Sequence, residues 1–275
     1  MPIATADPLR YASQVPIDLT EFERGTPFSG NFAEALEALA DRLARLQLSQ
    51  IVHRKRAIIL FEGWMGAGKR AVLKKLVGSF DPTHVRVVKV AGSDDMDDER
   101  HWLAPFWSRL PAACNTTVFY RSWYRLILEQ RMLGNMDDKR WARALDEINE
   151  FEAQQRDHGT LIAKLFFHVT PEKQAAALRA RQEDPWLRHL RDFQPIVGPA
   201  NRDRANDVLQ DFFAHTNTRW APWTPIDAND DAASCIAALT AVADQMEKVM
   251  PAEPPALGET IVPFRAPKAS EQTSA

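Results

Sequence analysis

The feature that most constrains this sequence is a glycine-rich segment between an apolar run and a helical stretch. Residues 57–62 (AIILFE) have the length and composition of a buried strand, and 63–69 (GWMGAGK) follow at once. The spacing Gly-x-x-x-x-Gly-Lys is typical of a loop whose backbone N–H groups surround phosphate oxygens at the amino end of a helix. Glycine permits this close approach because it has no Cβ, and the lysine adds a positive charge. We therefore predict a strand–loop–helix unit that binds phosphate.

The loop supplies our first candidate site residues. Lys69 is the candidate catalytic cation, and Arg70 follows it, where an ordinary P-loop NTPase has the Ser or Thr that ligates Mg²⁺. This protein therefore either binds Mg²⁺ through other residues than an ordinary P-loop NTPase does or does not bind it. The alternative interpretation is a glycine-containing turn with an incidental lysine. The phosphate-binding candidates are Gly63, Gly66, Ala67, Gly68, Lys69 and Arg70.

Strand-like apolar runs alternate with helical stretches along most of the chain. This alternation predicts an α/β fold, a parallel sheet with helices on both faces. We predict strands at 57–62, 85–90, 116–120, 161–169 and 221–228. We predict helices at 31–50, 69–77, 95–109, 122–133, 140–157, 171–183, 203–216 and 231–249, with Asn31 as the cap of the first.

The two ends of the chain differ from its middle. Prolines without periodicity predict an extended arm over residues 1–30 and a disordered tail over 251–275. Residues 31–250 then form one domain. Within it, residues 184–204 are rich in proline and arginine, and we predict that they form a lid.

Composition and charge exclude several classes of protein. The 275 residues carry a net charge of −3, so non-specific binding to nucleic acid or to an anionic membrane is not expected. The apolar run 57–61 is far shorter than the ~20 residues of a bilayer span, and the start of the chain lacks a secretory signal pattern. The two cysteines are far apart and favour neither a disulfide framework nor a zinc site. We expect a cytoplasmic protein.

A second basic segment follows the third predicted strand. Arg121 and Arg125 lie just beyond residues 116–120, and parallel sheets bind ligands at the carboxyl ends of their strands. The planar guanidinium group suits bidentate binding of phosphate. We therefore expect both arginines near Lys69. A helix start with surface arginines is the alternative.

Several separate segments, in order and at compatible spacings, resemble the polyphosphate kinase 2 family. The likeness extends over about residues 35–245. The segments that carry it are FEG-x-x-x-AGK (61–69), FWSRLP (106–111), RSWY (121–124), EINEFE (147–152), HGTLIAKLFFHV (158–169), EDP (183–185) and TNTRWAPWTPIDAND (216–230).

The resemblance implies a three-layer P-loop kinase-like domain with a parallel sheet and a helical lid. It implies a phosphotransferase that moves a phosphoryl group between inorganic polyphosphate and a nucleoside mono- or diphosphate. Mg²⁺ or Mn²⁺ would be the cofactor, and a homo-oligomer is expected. Lys69 and Arg121 would be catalytic, and the loop and Arg125 would bind phosphate.

The sequence departs from the family's pattern near the expected phosphates. Met65 stands where the family has an aspartate, Tyr120 where it has an acidic or amide residue, and Asp231 where it has a lysine. Residues 175–177, often basic in the family, are alanines. Arginines near the lid are candidates to compensate for them: Arg188, Arg191, Arg202 and Arg204.

An acidic run offers candidate metal ligands, and the departures leave other functions open. Asp95 and Asp97 follow the second predicted strand, although a solvated helix start would explain them too. A second hypothesis is a catalytically impaired relative that acts as a binding or assembly subunit. A third, an ordinary ATP-dependent small-molecule kinase, is disfavoured by the missing loop Ser or Thr.

Overall fold

Five parallel strands form the centre of the protein. The structure, a computed structural model, describes residues 16–90, 100–189 and 202–256. Within these ranges the sheet order is β2-β3-β1-β4-β5, and every neighbouring pair is parallel. β1 is central and buried on both faces, which explains its nearly continuous apolar sequence. The strands are β1 (Arg56–Gly63), β2 (Val85–Lys89), β3 (Thr116–Tyr120), β4 (Thr160–His168) and β5 (Trp223–Asp227).

Helices cover both faces of this sheet. They are α1 (Phe32–Val52), α2 (Lys69–Gly78), α3 (Ala104–Trp107), α4 (Trp123–Met132), α5 (Asp138–Asp157), α6 (Pro171–Glu183), α7 (Arg202–Thr216) and α8 (Asp231–Glu247). α1, α2 and α8 pack together in one layer, and α4, α5 and α7 pack together in another. The three-layer α/β prediction is confirmed, as is the cap of α1, where the Asn31 side chain accepts hydrogen bonds from the amides of Ala33 and Glu34.

One predicted helix is much shorter than expected. The prediction spanned residues 95–109, of which 95–99 lie outside the described residues, and the only helix in 100–109 is α3. Pro105 lies in its first turn. Proline has no N–H to donate to a preceding turn, so a helix continuing back from it would lose a hydrogen bond. The prediction over residues 100–103 is therefore wrong.

A buried charge cluster lies between β4 and the helices on one face. The Lys164 side chain is fully buried and donates to Glu152 Oε2 at 2.9 Å, to the Thr216 carbonyl at 2.8 Å and to the Tyr124 hydroxyl at 3.1 Å. Glu152 also accepts from Trp123 Nε1 at 3.2 Å. A lysine within a buried apolar strand is costly unless its charge is paired, and Glu152 supplies the carboxylate that pairs it.

The described part of the amino-terminal segment lies against the end of β5. It contains a short 3₁₀ helix, Leu19–Phe22. The Gly25 amide donates to Asp227 Oδ2 at 2.8 Å, and Asn229 Nδ2 donates to the Phe22 carbonyl at 3.3 Å. The division into an arm, a domain and a disordered tail stays a prediction. No helix in the described ranges is long and apolar enough to cross a membrane.

Candidate active site

The glycine-rich loop joins β1 to α2 in a backbone conformation that requires glycine. Gly63 has φ +114°, and a Cβ there would lie 2.2 Å from the Phe167 carbonyl oxygen of β4. Gly68, with φ +64°, precedes the first turn of α2 and has no side chain to cap it. The amides of that turn therefore face the loop at the positive end of the helix, as an anion site requires.

The Lys69 side chain folds back onto the loop and hydrogen-bonds to its backbone. Its Nζ donates to the carbonyl oxygens of Gly63 at 2.8 Å and of Trp64 at 2.5 Å. The residue is 7% exposed. A charged lysine has three N–H donors, so one remains for a ligand after these two bonds.

The electrostatic surroundings of Lys69 disfavour its charge. Burial, and next the positive charge of Arg121, lower the pKa of Lys69 to about 7, while the nearby Glu62 carboxylate acts in the opposite direction. Burial also lowers the pKa of Arg125. An arriving phosphate would supply the negative charge that favours the charged form of both side chains.

Glu62 ties the end of β1 to the start of α4. Its Oε1 accepts from the Ser122 amide at 2.5 Å and from the Ser122 hydroxyl at 2.8 Å. Burial raises the pKa of Glu62, and the Ser122 bonds partly offset this effect. These two hydrogen bonds hold Ser122 and thereby the backbone of the preceding residue, Arg121. Arg121 adopts φ +65°. Sequence reasoning missed this role, although an acidic residue at the end of an apolar strand was a signal for it.

Two cavities open beside the loop, and Met65, Lys69 and Arg121 line both. We call the first the apolar-walled cavity; its other lining residues are Glu62, Gly63, Trp64, Arg125, Leu128, Met132, Phe166 and Leu209. We call the second the cationic cavity; its other lining residues are Gly66, Ala67, Gly68, Arg70, Ala71, Tyr120, Ala177, Leu178, Arg181 and Leu187. Of the described residues that line the cationic cavity, four are basic and none is acidic.

The predicted site residues fall into two groups. The loop candidates, Arg121 and Arg125 come together around Lys69. Arg181, which sequence reasoning did not select, lies one helical turn beyond Ala177 on α6 and joins them in the cationic cavity. Its signal was the helical spacing from the alanines at 175–177, because residues four apart share a helix face.

The predicted lid arginines lie elsewhere. The Arg202 guanidinium donates to the Val169 carbonyl and to Gln174 Oε1 at 3.2 Å, and it lies 4.1 Å from the centre of the Trp64 ring. Arg188 is exposed in a 3₁₀ turn, and Arg204 lies beside Gly134. None of these three lines either cavity. Arg191 and most of the predicted lid lie outside the described residues.

The residues that depart from the family's pattern lie at the loop. Tyr120 lines the cationic cavity, with Arg70 and Arg121 each about 6 Å from its ring centre (6.0 and 5.9 Å). Asp231 Oδ1 forms a salt bridge with Lys173 Nζ at 3.1 Å. The same oxygen would lie 3.9 Å from a Cβ placed on Gly68, so Asp231 is close to the loop.

The described residues do not form a carboxylate cage for a metal ion. They contain no group of three or more His, Cys, Asp or Glu side chains suited to one. Met65 offers only a thioether at the place where the cavities meet, and thioethers bind Mg²⁺ poorly. Glu62 is engaged with Ser122. The metal candidates Asp95 and Asp97 lie outside the described residues.

The family follows from a comparison with known proteins. A model of polyphosphate kinase 2 (PPK2) matches residues 29–254. The chain belongs to the polyphosphate kinase 2 family. The P-loop kinase-like fold expected from the resemblance is confirmed by the crystal structure of polyphosphate kinase 2 from Arthrobacter aurescens TC1. That structure superposes with a TM-score of 0.76 at 26% identity, covering 96% of this chain and 94% of its own.

The names of relatives in this family specify different nucleotides. A polyphosphate:AMP phosphotransferase of Acinetobacter johnsonii is 31% identical over 236 residues, which are 85% of this chain and 48% of the relative. ADP-polyphosphate phosphotransferase 2 of Rhizobium meliloti (strain 1021) is 29% identical over 203 residues, 73% of this chain and 65% of the relative. The chain therefore spans about half the length of the Acinetobacter polyphosphate kinase 2 relative.

Proposed function

We propose that this protein transfers a phosphoryl group between inorganic polyphosphate and a nucleoside mono- or diphosphate. The observation that carries the proposal is the meeting of two chemically different cavities at Lys69 and Arg121. A polyphosphate chain is a row of negative charges, and it suits the cationic cavity. A nucleoside has a large apolar surface, and it suits the walls formed by Leu128, Met132 and Leu209.

In this proposal the loop holds the transferring phosphoryl group between the two substrates. The loop amides and the third N–H of Lys69 would bind its oxygens, and Arg121, which lines both cavities, would neutralise charge as the group moves. Phosphoryl transfer depends mainly on such positioning and charge stabilisation. Donor and acceptor would meet at the residues that both cavities share, beside Lys69 and Arg121.

The acceptor in this proposal is AMP or ADP, in agreement with the names of the Acinetobacter and Rhizobium relatives. Arg125, at the rim of the apolar-walled cavity, would hold the acceptor's phosphate. Mg²⁺ or Mn²⁺, a homo-oligomeric state and a cytoplasmic location stay predictions. Because the described residues do not form a metal cage, we assign no step to a metal.

The test is a direct search for turnover. Purified protein would be incubated with long-chain polyphosphate, Mg²⁺ or Mn²⁺, and each of AMP, ADP, GMP and GDP, and the products followed by ion-pair chromatography. The Lys69→Ala variant would run beside Lys74→Ala, a matched control at an exposed position of the same helix. We expect turnover that Lys69→Ala abolishes and Lys74→Ala retains.

The contrary result is equally clear. Absence of turnover with every pair, from protein whose unfolding transition is cooperative, would contradict the proposal. The catalytically impaired hypothesis, motivated by Met65, Tyr120 and Asp231, would then take its place.

A further inference from the structure

A chain of hydrogen bonds runs from the amino-terminal segment into the phosphate-binding loop. Glu23 Oε1 lies 2.9 Å from His168 Nε2 at the end of β4. The other ring nitrogen, His168 Nδ1, lies 2.8 Å from the indole nitrogen of Trp64. The Trp64 carbonyl oxygen in turn accepts from Lys69 Nζ at 2.5 Å. The side chains of Glu23, His168 and Trp64 are thus connected in sequence, and the backbone of Trp64 connects them to Lys69.

The chemistry of these groups fixes which atom carries each proton. An indole N–H can only donate, so His168 Nδ1 must accept. The remaining proton of the neutral imidazole is then on Nε2, where it is donated to the Glu23 carboxylate. Glu23 therefore favours the ring tautomer and orientation that present a lone pair to Trp64.

Trp64 is enclosed by its neighbours and has little freedom to move without them. Trp64 is 5% exposed and His168 is 1% exposed. The Arg202 guanidinium lies over the indole ring, and the Trp64 amide donates to the Phe167 carbonyl at 3.0 Å. A shift of the indole would therefore move the backbone carbonyl that orients Lys69.

We propose that His168 and Glu23 are positioning residues for the phosphate-binding loop, acting through the indole of Trp64. They contact no substrate in this scheme; they set the position of the Trp64 carbonyl and hence of the Lys69 ammonium group. The inference deepens the proposed function and rests on it for its catalytic meaning. The geometric part, that these residues hold the loop, can be tested without any substrate.

The same geometry predicts that the hydrogen bond between His168 and Trp64 depends on pH. Burial is the main cause that lowers the pKa of His168, with Arg202 acting in the same sense and Glu23 and Asp227 acting against it. His168 is therefore neutral at pH 7. Protonation in acid places a hydrogen on Nδ1, which then faces the indole N–H, so the link to Trp64 breaks as the pH falls below the His168 pKa.

Two amide replacements separate the two contacts of His168. In His168→Asn the side-chain oxygen lies near the place of Nδ1 and can still accept from Trp64. In His168→Gln the amide nitrogen lies near the place of Nε2, so the contact with Glu23 is kept and the acceptor for Trp64 is lost. Glu23→Ala removes the carboxylate, Glu23→Gln keeps an acceptor, and Glu21→Ala, in the 3₁₀ helix that ends just before Glu23, is the matched control.

The first readout is hydrogen exchange of the amides of residues 63–69, measured by mass spectrometry on the full chain. Loss of one buried hydrogen bond predicts exchange about tenfold faster in His168→Gln and about threefold faster in Glu23→Ala. We expect Glu23→Gln and Glu21→Ala to exchange within about twofold of the unmodified protein. His168→Asn keeps the contact with Trp64 and loses the contact with Glu23, so it should exchange about threefold faster, as Glu23→Ala does. The second readout is calorimetric binding of tripolyphosphate, which should weaken in the same order.

The pH dependence of tripolyphosphate affinity distinguishes a positioning role of His168 from a merely structural one. The ratio of tripolyphosphate affinities between unmodified protein and His168→Asn should fall as the pH is lowered through the His168 pKa, because asparagine does not titrate. Equal exchange in His168→Gln and unmodified protein would overturn the inference. So would exchange in His168→Asn that is as fast as in His168→Gln, together with an affinity ratio that does not change with pH. Absence of turnover in the unmodified protein, with the expected order of exchange rates, would refute the proposed function and leave the loop-positioning inference supported.

Discussion

Two buried lysines at the sheet carry the same charge in opposite circumstances. Lys164 has a carboxylate partner, Glu152, at 2.9 Å, together with a hydroxyl and a carbonyl oxygen. Lys69 contacts two carbonyl oxygens, and among the described residues no carboxylate lies within ion-pair distance of it. After burial, the largest effect on the pKa of Lys69 is that of the positive charge of Arg121, which lowers it.

The difference separates a structural charge from a functional one. The charge of Lys164 is compensated when the chain folds, so the pair belongs to the core. The charge of Lys69 is only partly compensated within the protein, and a bound anion would compensate the rest. A buried lysine without a carboxylate partner, at the amino end of a helix, is therefore an indication of an anion site.

The largest effect should come from Lys69→Met. We expect kcat/KM to fall by about 10³-fold or more, because the transition state loses a cation that it needs. The free energy of unfolding should stay the same or rise, since an uncompensated buried charge is removed. Steady-state kinetics and urea unfolding measure the two quantities. A loss of stability as large as that of a core mutation would contradict the functional interpretation of Lys69.

The reverse pattern is expected for Lys164→Met. Removal of one partner leaves the Glu152 carboxylate buried, and the free energy of unfolding should fall by about 3–5 kcal/mol. The double variant Lys164→Met with Glu152→Gln should recover most of this loss, because the uncompensated charge is gone. Urea unfolding of the unmodified protein, both single variants and the double variant tests this, and an additive double variant would show that the two residues are not coupled.

A smaller effect should distinguish the two cavities from each other. Arg181→Ala should raise the KM for polyphosphate by about tenfold and leave the nucleotide KM unchanged, because a charge-assisted hydrogen bond is lost on one side only. Met132→Ala should raise the nucleotide KM alone, by about threefold, through lost apolar contact. Arg179→Ala, exposed on the same helix as Arg181, is the control. If either variant changes both constants equally, the assignment of one substrate to each cavity is wrong.

The last prediction concerns pH dependence. The pKa of Lys69 in the folded protein is about 7, so tripolyphosphate affinity should decline as the pH rises above 7. Between about 7 and the ordinary value of 10.5, the unfolded chain binds a proton that folded Lys69 does not. Its contribution to the free energy of unfolding therefore rises with pH in this window. The difference between unmodified protein and Lys69→Met isolates this slope, and a difference that is flat with pH would contradict the lowered pKa.

Local sequence patterns were sufficient for the sheet and the loop. The five strands, and the glycine loop before α2, are specified by short apolar runs and by glycine spacing, both of which are visible within ten residues. The helix predicted over 95–109 was wrong over residues 100–103, because Pro105 outweighed the helical periodicity there, whereas Ala104–Trp107 are helical.

Contacts between distant residues could not be predicted in this way. Glu62 with Ser122, and Trp64 with His168, are separated by 60 and 104 residues. Arg202 was a candidate lid cation by its neighbourhood in sequence, yet its guanidinium packs on the Trp64 ring behind the loop. Which side of a helix faces the phosphates, as for Arg181, depends on packing that no single segment specifies.

The left-handed backbone of Arg121 has a consequence for engineering. A non-glycine residue at φ +65° costs about 1 kcal/mol relative to glycine. A procedure that optimises only thermal stability would therefore favour glycine at position 121. That choice would delete the guanidinium that, among the described residues, is the only one lining both cavities. Resistance to heat and competence in phosphoryl transfer thus compete at this single residue, and a thermostabilised variant should keep its arginine.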